Sequence, residues 1–385
     1  MLLGMIVLGP ALGACAPEAE NQGAPDVRPA WKRDFQAETT ALAADGKLGL
    51  LAVATAEDVD GRGEDHLYVL DAQGTVLWHA PMDQRIAGTV IARDGSIVLA
   101  YLVDGRLLAW SPHGEKRWEK NCVGIPEVSA SGDRIVCSNT GEETVGGIAI
   151  EALDASGKRL WSFDDPGGIW RMALADDGGA LAAITLAGYV VAINGDGRVL
   201  WREQLDTPVG SVAMSSGEER KIAVGTGIEG ESLWVYDLDG AEIWRATVPG
   251  GADSIALSRN AEFLVTGNNT VLGQRIFMFD RAGKLGWKFQ LDRPAREPLR
   301  MGINDAGDRI VAVLEEEGQP TLLAWDGHGD VTARMRAGAD ILDYVLSDTG
   351  TRLAAMTGGG KVAFYTLEAG KGHPASAPAA ESGGK

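Results

Sequence analysis

The sequence predicts an all-β fold: an eight-bladed β-propeller of four-stranded antiparallel blades. Three observations predict it, namely a recurring block of strand and turn signals, a regular spacing of the tryptophans that end the blocks, and no helical hydrophobic period between them. The block reads Leu-x-x-x-Asp-x-x-Gly-x-x-x-Trp. Its clearest copies end at Trp78, Trp161, Trp201 and Trp244, with weaker ones at Trp118 and Trp287. From Trp78 onward these tryptophans are 40 or 43 residues apart. A period of roughly 40 to 50 residues that holds four strands belongs to a propeller, where each repeat is one blade.

The fifth repeat shows every element in order. Val209–Ser215 is the first strand, Ser216-Gly217-Glu218 the turn, Lys221–Thr226 the second strand, Leu233–Tyr236 the third and Glu242–Arg245 the fourth. Asp237 to Gly240 joins the last two, Asp accepting bonds from the following amides and Gly supplying a positive φ. First strands carry a small residue between larger apolar ones, as in Met172-Ala173-Leu174 and Met301-Gly302-Ile303. That suits the tapered axis of a propeller. The fourth strands place Trp31, Trp78, Trp118, Trp161, Trp201, Trp244 and Trp287 at the rim, where large rings can cover the seams between blades. In the seventh repeat Ala333 stands at the tryptophan position.

Sets of first to third strands begin near residues 39, 87, 125, 168, 208, 251, 298 and 341. The last set ends at Thr366 without a fourth strand, and the spare strand is Ala30–Phe35 at the other end of the chain. Pairing the two closes the ring and hides two sheet edges. Seven blades is the alternative count.

The expected organisation is a signal peptide over 1–14, Cys15 and a flexible tether to residue 29, the propeller over 30–367, and a disordered tail over 368–385. Leu12-Gly13-Ala14-Cys15 resembles the bacterial lipobox, which makes Cys15 the expected lipidation site, and Ala16 favours the outer membrane. With 35 basic and 54 acidic residues the net charge is −19, a poor match for nucleic acid. Beyond Cys15, only Cys122 and Cys137 remain. A disulfide between them suits an exported protein, although a regular hairpin register pairs Cys137 near Glu127, well short of Cys122.

Chemistry-bearing motifs are sparse. Asp58, Asp60, Glu64 and Asp65 form a calcium-loop-like run, but Arg62 and His66 occupy two ligand positions. Gly225-x-Gly227-x-x-Gly230 spells a dinucleotide fingerprint, yet a strand follows it where phosphate binding needs a helix. The acidic pairs Asp164-Asp165 and Asp176-Asp177 and the run Glu315–Glu317 read as solvated surface. The connections after second and fourth strands share one face, which is acidic except around Arg293, Arg296 and Arg300. Such a face suits a basic partner. Trp170 and Tyr344 are bulky enough to plug the channel mouth. No catalytic constellation is present in the sequence, and no cofactor is expected beyond the calcium option.

The Asp71–Gly74 and Asp154–Gly157 repeats resemble those of pyrroloquinoline-quinone-like propellers over roughly residues 30–367, with a turn one residue shorter than that family's. Size and layout are similar to the propeller lipoprotein of the outer-membrane β-barrel assembly machine. The resemblance implies a non-catalytic, membrane-tethered scaffold that binds envelope proteins or peptides, a monomer within a complex. Two alternatives are a quinone-dependent oxidoreductase-like propeller and a calcium-aided or glycan-binding surface protein.

Overall fold

Second and third strands such as Leu50–Ala56 and Ala180–Thr185 are near-continuous apolar runs. Both faces of each are covered, and every residue from Leu51 to Ala56 is buried. Fourth strands alternate instead, as in Val76–Met82, because one face meets solvent. The computed structural model describes residues 24–56, 65–122, 124–138, 148–165, 168–227, 231–295 and 299–368. Among these, 32 strands form eight four-stranded antiparallel sheets, seven of them in chain order from the axis outward. The eighth sets Trp31–Asp34 outside Lys361–Thr366, with Trp31 opposite Phe364 and Asp34 opposite Lys361. The ring thus has eight blades, closed by the N-terminal strand.

Hydrophobic burial is divided among the seams rather than gathered in one core. Leu42, Leu51 and Val53 of blade 1 pack with Ala354, Met356 and Phe364 of blade 8, and equivalent clusters fill the other seams. Each rim tryptophan reaches across its seam to the glycine-ended turn between the third and fourth strands of the next blade. The indole N–H of Trp78 donates to the Pro112 carbonyl at 2.9 Å, that of Trp118 to Ala155 at 2.9 Å, and that of Trp161 to Gly195 at 2.8 Å. The ring lies on the turn glycine: a Cβ on Gly197 would stand 2.7 Å from Trp161. The turn glycine is therefore needed twice, for its positive φ and for the ring above it.

Ala333 follows from the same rule. The turn that a tryptophan there would cover does not exist, because the third and fourth strands of blade 8 come from opposite ends of the chain. Part of the segment read as a flexible tether lies against this strand instead. Asp26 forms a parallel bridge with Arg334, Val27 N–H donates to the Arg334 carbonyl at 2.8 Å, and Arg334 N–H donates to Pro25 at 3.0 Å.

The hairpin register in blade 3 is close to the expected one, but it does not keep the cysteines apart. The inner strand of blade 3 has two residues, Glu127–Val128, and Glu127 faces Val136, close to the expected register. The crossover before it, however, runs back along the second strand. A Cβ on Gly124 would sit 2.1 Å from the Ser138 carbonyl, so only glycine lets the chain pass. Cys122 is thereby brought to Cys137, with a Cα–Cα distance of 5.6 Å and a disulfide between them.

Candidate functional site

Strand direction divides the disc into a turn face, with the hairpins after first and third strands, and a crossover face, with the connections after second and fourth strands. The two faces differ in chemistry.

On the turn face, the first hairpin of each blade brings one residue to the axis: Gly46, Arg93, Ala130, Asp176, Ser216, Arg259, Asp305 and Asp348 in blades 1 to 8. Backbone bonds run from blade to blade, Asp348 N–H to Gly46 O at 2.7 Å, Gly46 N–H to Arg93 O at 2.8 Å, and Ala130 N–H to Asp176 O at 2.6 Å. Across them lies an ion-pair network. Arg93 Nε donates to Asp348 at 2.9 Å, its Nη1 pairs with Asp176 at 3.1 Å and its Nη2 with Asp305, while Arg259 Nε meets Asp176 at 2.9 Å. Two guanidinium groups and three carboxylates thus span the axis at this end. Gly46 makes room for them, since a Cβ there would stand 2.2 Å from Asp348. The sequence reading of Asp176 as solvated surface is therefore corrected, and two other acidic runs follow. Asp165 is buried and paired with Arg202 at 3.1 Å, and Glu316 is buried and paired with Arg334 at 2.7 Å.

The crossover face is open. A cavity of about 460 Å³ lies beside the inner strands of blades 6 to 8, walled by Ser254, Leu299, Met301, Ile303, Tyr344 and Leu346. The Arg300–Asp343 pair, at 3.3 Å, stands at its edge. Tyr344 is a wall rather than a plug, its hydroxyl donating to the Val311 carbonyl at 2.9 Å. Burial raises the Asp343 carboxyl group above its ordinary range. It pushes Glu127, on the inner strand of blade 3, up to about 7.

The crossover face carries most of the exposed large apolar side chains among the described residues. They are Val103, Ile125, Trp170, Leu186, Val271, Leu272 and Leu342; the remaining five lie on rim strands, and none is on the turn face. Trp170 is 53 % exposed, with the Arg171 guanidinium 5.5 Å from its ring. A bulge in the inner strand between Ile169 and Arg171 turns it outward. One repeat read alone does not disclose these positions. Aligning the eight hairpins and eight crossovers would have found the axial ring, because its members share one register.

Of the calcium-like residues, Asp58, Asp60 and Glu64 lie outside the described residues, as does Cys15; Asp65 opens the third strand of blade 1. Among the described residues no three His, Cys, Asp or Glu side chains converge as metal ligands. The Gly225–Gly230 run leads into the strand Glu231–Asp237.

An eight-bladed ring of four-stranded blades, closed by its own N-terminal strand and built on tryptophan-ended turns, defines a PQQ-like, WD-like propeller. The chain belongs to the repeat family described as outer membrane protein assembly factor BamB, whose model matches residues 24–147, 63–219 and 146–306. No curated protein matches. Among solved structures, BamB from Moraxella catarrhalis is similar at 16 % identity and TM-score 0.64, covering 91 % of this chain and 100 % of that one. Sqt1 from Chaetomium thermophilum is similar at 15 % identity and TM-score 0.70, with coverage of 89 % and 100 %. The same protein bound to the N-terminus of ribosomal protein L10 gives 16 % and 0.68, with the same coverage. At these identities the likeness to solved structures is one of fold.

Proposed function

We propose that this chain is a non-catalytic propeller scaffold of the bacterial cell envelope. It is lipid-tethered through Cys15, faces the periplasm from the outer membrane, and holds protein partners on its crossover face as part of outer-membrane protein assembly. The observation that carries the reading is the contrast between the faces: one is crossed by ion pairs at its axis, the other is open and edged by apolar side chains. Exposed apolar groups with a polar surround mark protein-interaction surfaces. Family membership supports the envelope setting. The similar Sqt1 structure, bound to a protein N-terminus, supports use of such a propeller as a docking platform.

The test is a cross-linked pull-down of the full chain from its own membranes, with co-purifying chains identified by mass spectrometry. The expected result is recovery of the outer-membrane assembly barrel with its accessory lipoproteins, and loss of that recovery in Trp170→Ala/Leu342→Ala. Unchanged recovery in the double variant rejects the crossover face. Failure to recover any reproducible partner rejects the scaffold role.

A further inference from the structure

We infer that residues 24–27 are a release latch for the N-terminal tether. Docked on blade 7 they hold the tether short, and under load they let go before the closing strand does, lengthening the tether while the ring stays shut. The purpose of the latch rests on the tethered reading of the chain; its geometry does not.

Three observations carry it. First, the segment is docked on a blade to which it does not belong. Asp26 lies opposite Arg334 on the outer edge of the fourth strand of blade 7, Val331–Arg336, and the two run parallel. The Val27 N–H donates to the Arg334 carbonyl at 2.8 Å, and the Arg334 N–H donates to the Pro25 carbonyl at 3.0 Å. The Arg334 guanidinium, held at 2.7 Å by the buried Glu316, donates to the Ala24 carbonyl at 3.3 Å. Val27 packs against the cluster that contains Ala333 and Met335, in the one seam without a rim tryptophan.

Second, the latch comes first on the load path. Residues 28–30 join it to the closing strand Trp31–Asp34, so a pull arriving from the N-terminal side reaches Pro25 and Val27 before Trp31. Third, the latch is the weaker attachment. Beyond its two backbone bonds and the Ala24 contact it has the Arg336–Asp26 pair at 3.1 Å, whose members are 48 % and 63 % exposed, and an exposed pair adds little. The closing strand has a four-residue ladder to 361–364, the stacked Trp31 ring, and bonds from Trp31 and Arg33 to the Ala72 and Gly74 carbonyls. An attachment that is both nearer the load and weaker yields first.

Docking therefore sets the length of the tether. With the latch closed, residues 16–23 span at most about 28 Å from Cys15; with it open, residues 16–30 span at most about 50 Å. A lipid-anchored scaffold whose partner moves away from the membrane gains about 25 Å of reach before any strand of the propeller is disturbed.

The experiment pulls single molecules of the full, unlipidated chain in magnetic tweezers. One handle is on Cys15, the one cysteine outside the Cys122–Cys137 disulfide, and the other is on blade 4 through the exposed Asp196→Cys. Below the load that opens the ring, the extension is expected to hop reversibly between two values no more than about 25 Å apart, with ring opening a separate event at higher load. Moving the first handle past the latch, with Arg28→Cys in a Cys15→Ser chain, should remove the hopping and leave the ring-opening load unchanged. Asp26→Lys/Val27→Ser alters the latch alone and should shorten its docked lifetime about tenfold without changing the ring-opening load. Without load, native-state hydrogen exchange should show the Arg334 amide, whose acceptor is Pro25, opening at lower free energy than the ladder of the closing strand. The latch is rejected if the Cys15 handle gives no step before ring opening, if the step survives with the handle at residue 28, or if the Arg334 amide and the closing strand exchange together. None of these readings needs lipid or partner, so their failure leaves the tethered reading standing. Chain isolated from its own membranes without lipid on Cys15 overturns the tethered reading, and with it the use of the latch, while the hopping remains.

Discussion

The rim tryptophans act one at a time, and each joins a ring stacked on a turn glycine to an N–H bonded to a turn carbonyl. One of the seven lacks the second part. Trp287 lies on Gly329 as the others lie on theirs, but its buried Nε1 has no hydrogen-bond partner. Stacking and hydrogen bonding can therefore be separated by substitution. Trp78→Phe loses the bond to Pro112 and leaves that carbonyl without its donor, for a cost of about 1 kcal/mol beyond the change in packing. Trp287→Phe removes an N–H that is already unsatisfied, so its cost comes from lost packing alone. Urea denaturation of the two variants checks this, and a larger polar penalty at Trp287 than at Trp78 would contradict it. The tryptophans and their spacing were legible in the sequence because rim and turn recur at a fixed interval. Their acceptors were not, because each lies in the following repeat and the pairing crosses a seam that no single block contains.

Among the elements, blade 3 departs furthest from the pattern. Its inner strand has two residues where blades 2, 4, 5 and 8 have six, so fewer ladder bonds hold it to Arg134–Ser138. The Cys122–Cys137 disulfide lies where those bonds are missing and ties the crossover from blade 2 to the second strand of blade 3. The two cysteines are 15 residues apart, and closing such a loop stabilises by about 3 kcal/mol in the chain-entropy account. Replacing both by alanine is expected to lower stability by about 2 to 3 kcal/mol and to speed hydrogen exchange in 127–138 before any other blade. Uniform acceleration around the ring would mean that blade 3 depends on the bond no more than its neighbours do. Strand boundaries were readable here from apolar runs and turn glycines. The proximity of the cysteines was not, since it depends on Gly124 letting the crossover pass the Ser138 carbonyl, a contact outside any regular register.

At the scale of the whole molecule the question is where the ring opens. Seven blades are continuous hairpins, but blade 8 is joined from both ends of the chain, so its fourth strand is held only by noncovalent contacts and by the chain before and after it. Trp31 supplies much of that hold: it stacks on Phe364 with centroids 5.3 Å apart, and its Nε1 donates to Ala72 at 2.9 Å. Arg33 adds a bond to the Gly74 carbonyl at 2.8 Å. At the axis, Asp348 of the same blade is held by Arg93 and bonds Gly46 of blade 1. Trp31→Ala and Trp201→Ala remove equivalent rings from equivalent seams, and each is expected to cost about 2 to 3 kcal/mol of global stability. They should differ in local opening. In Trp31→Ala, native-state hydrogen exchange should show Lys361–Thr366 opening well below the global free energy, because one freed strand exposes the edge of blade 8. In Trp201→Ala, the strands on either side of the seam remain parts of covalent hairpins, so exchange there should follow global unfolding. Arg93→Met should lower the opening free energy of Lys361–Thr366 further in the Trp31→Ala background, since the axial ion pairs then carry more of the closure. If the two tryptophan variants exchange alike, the joined blade is no weaker than the continuous ones, and the ring opens as a single cooperative unit.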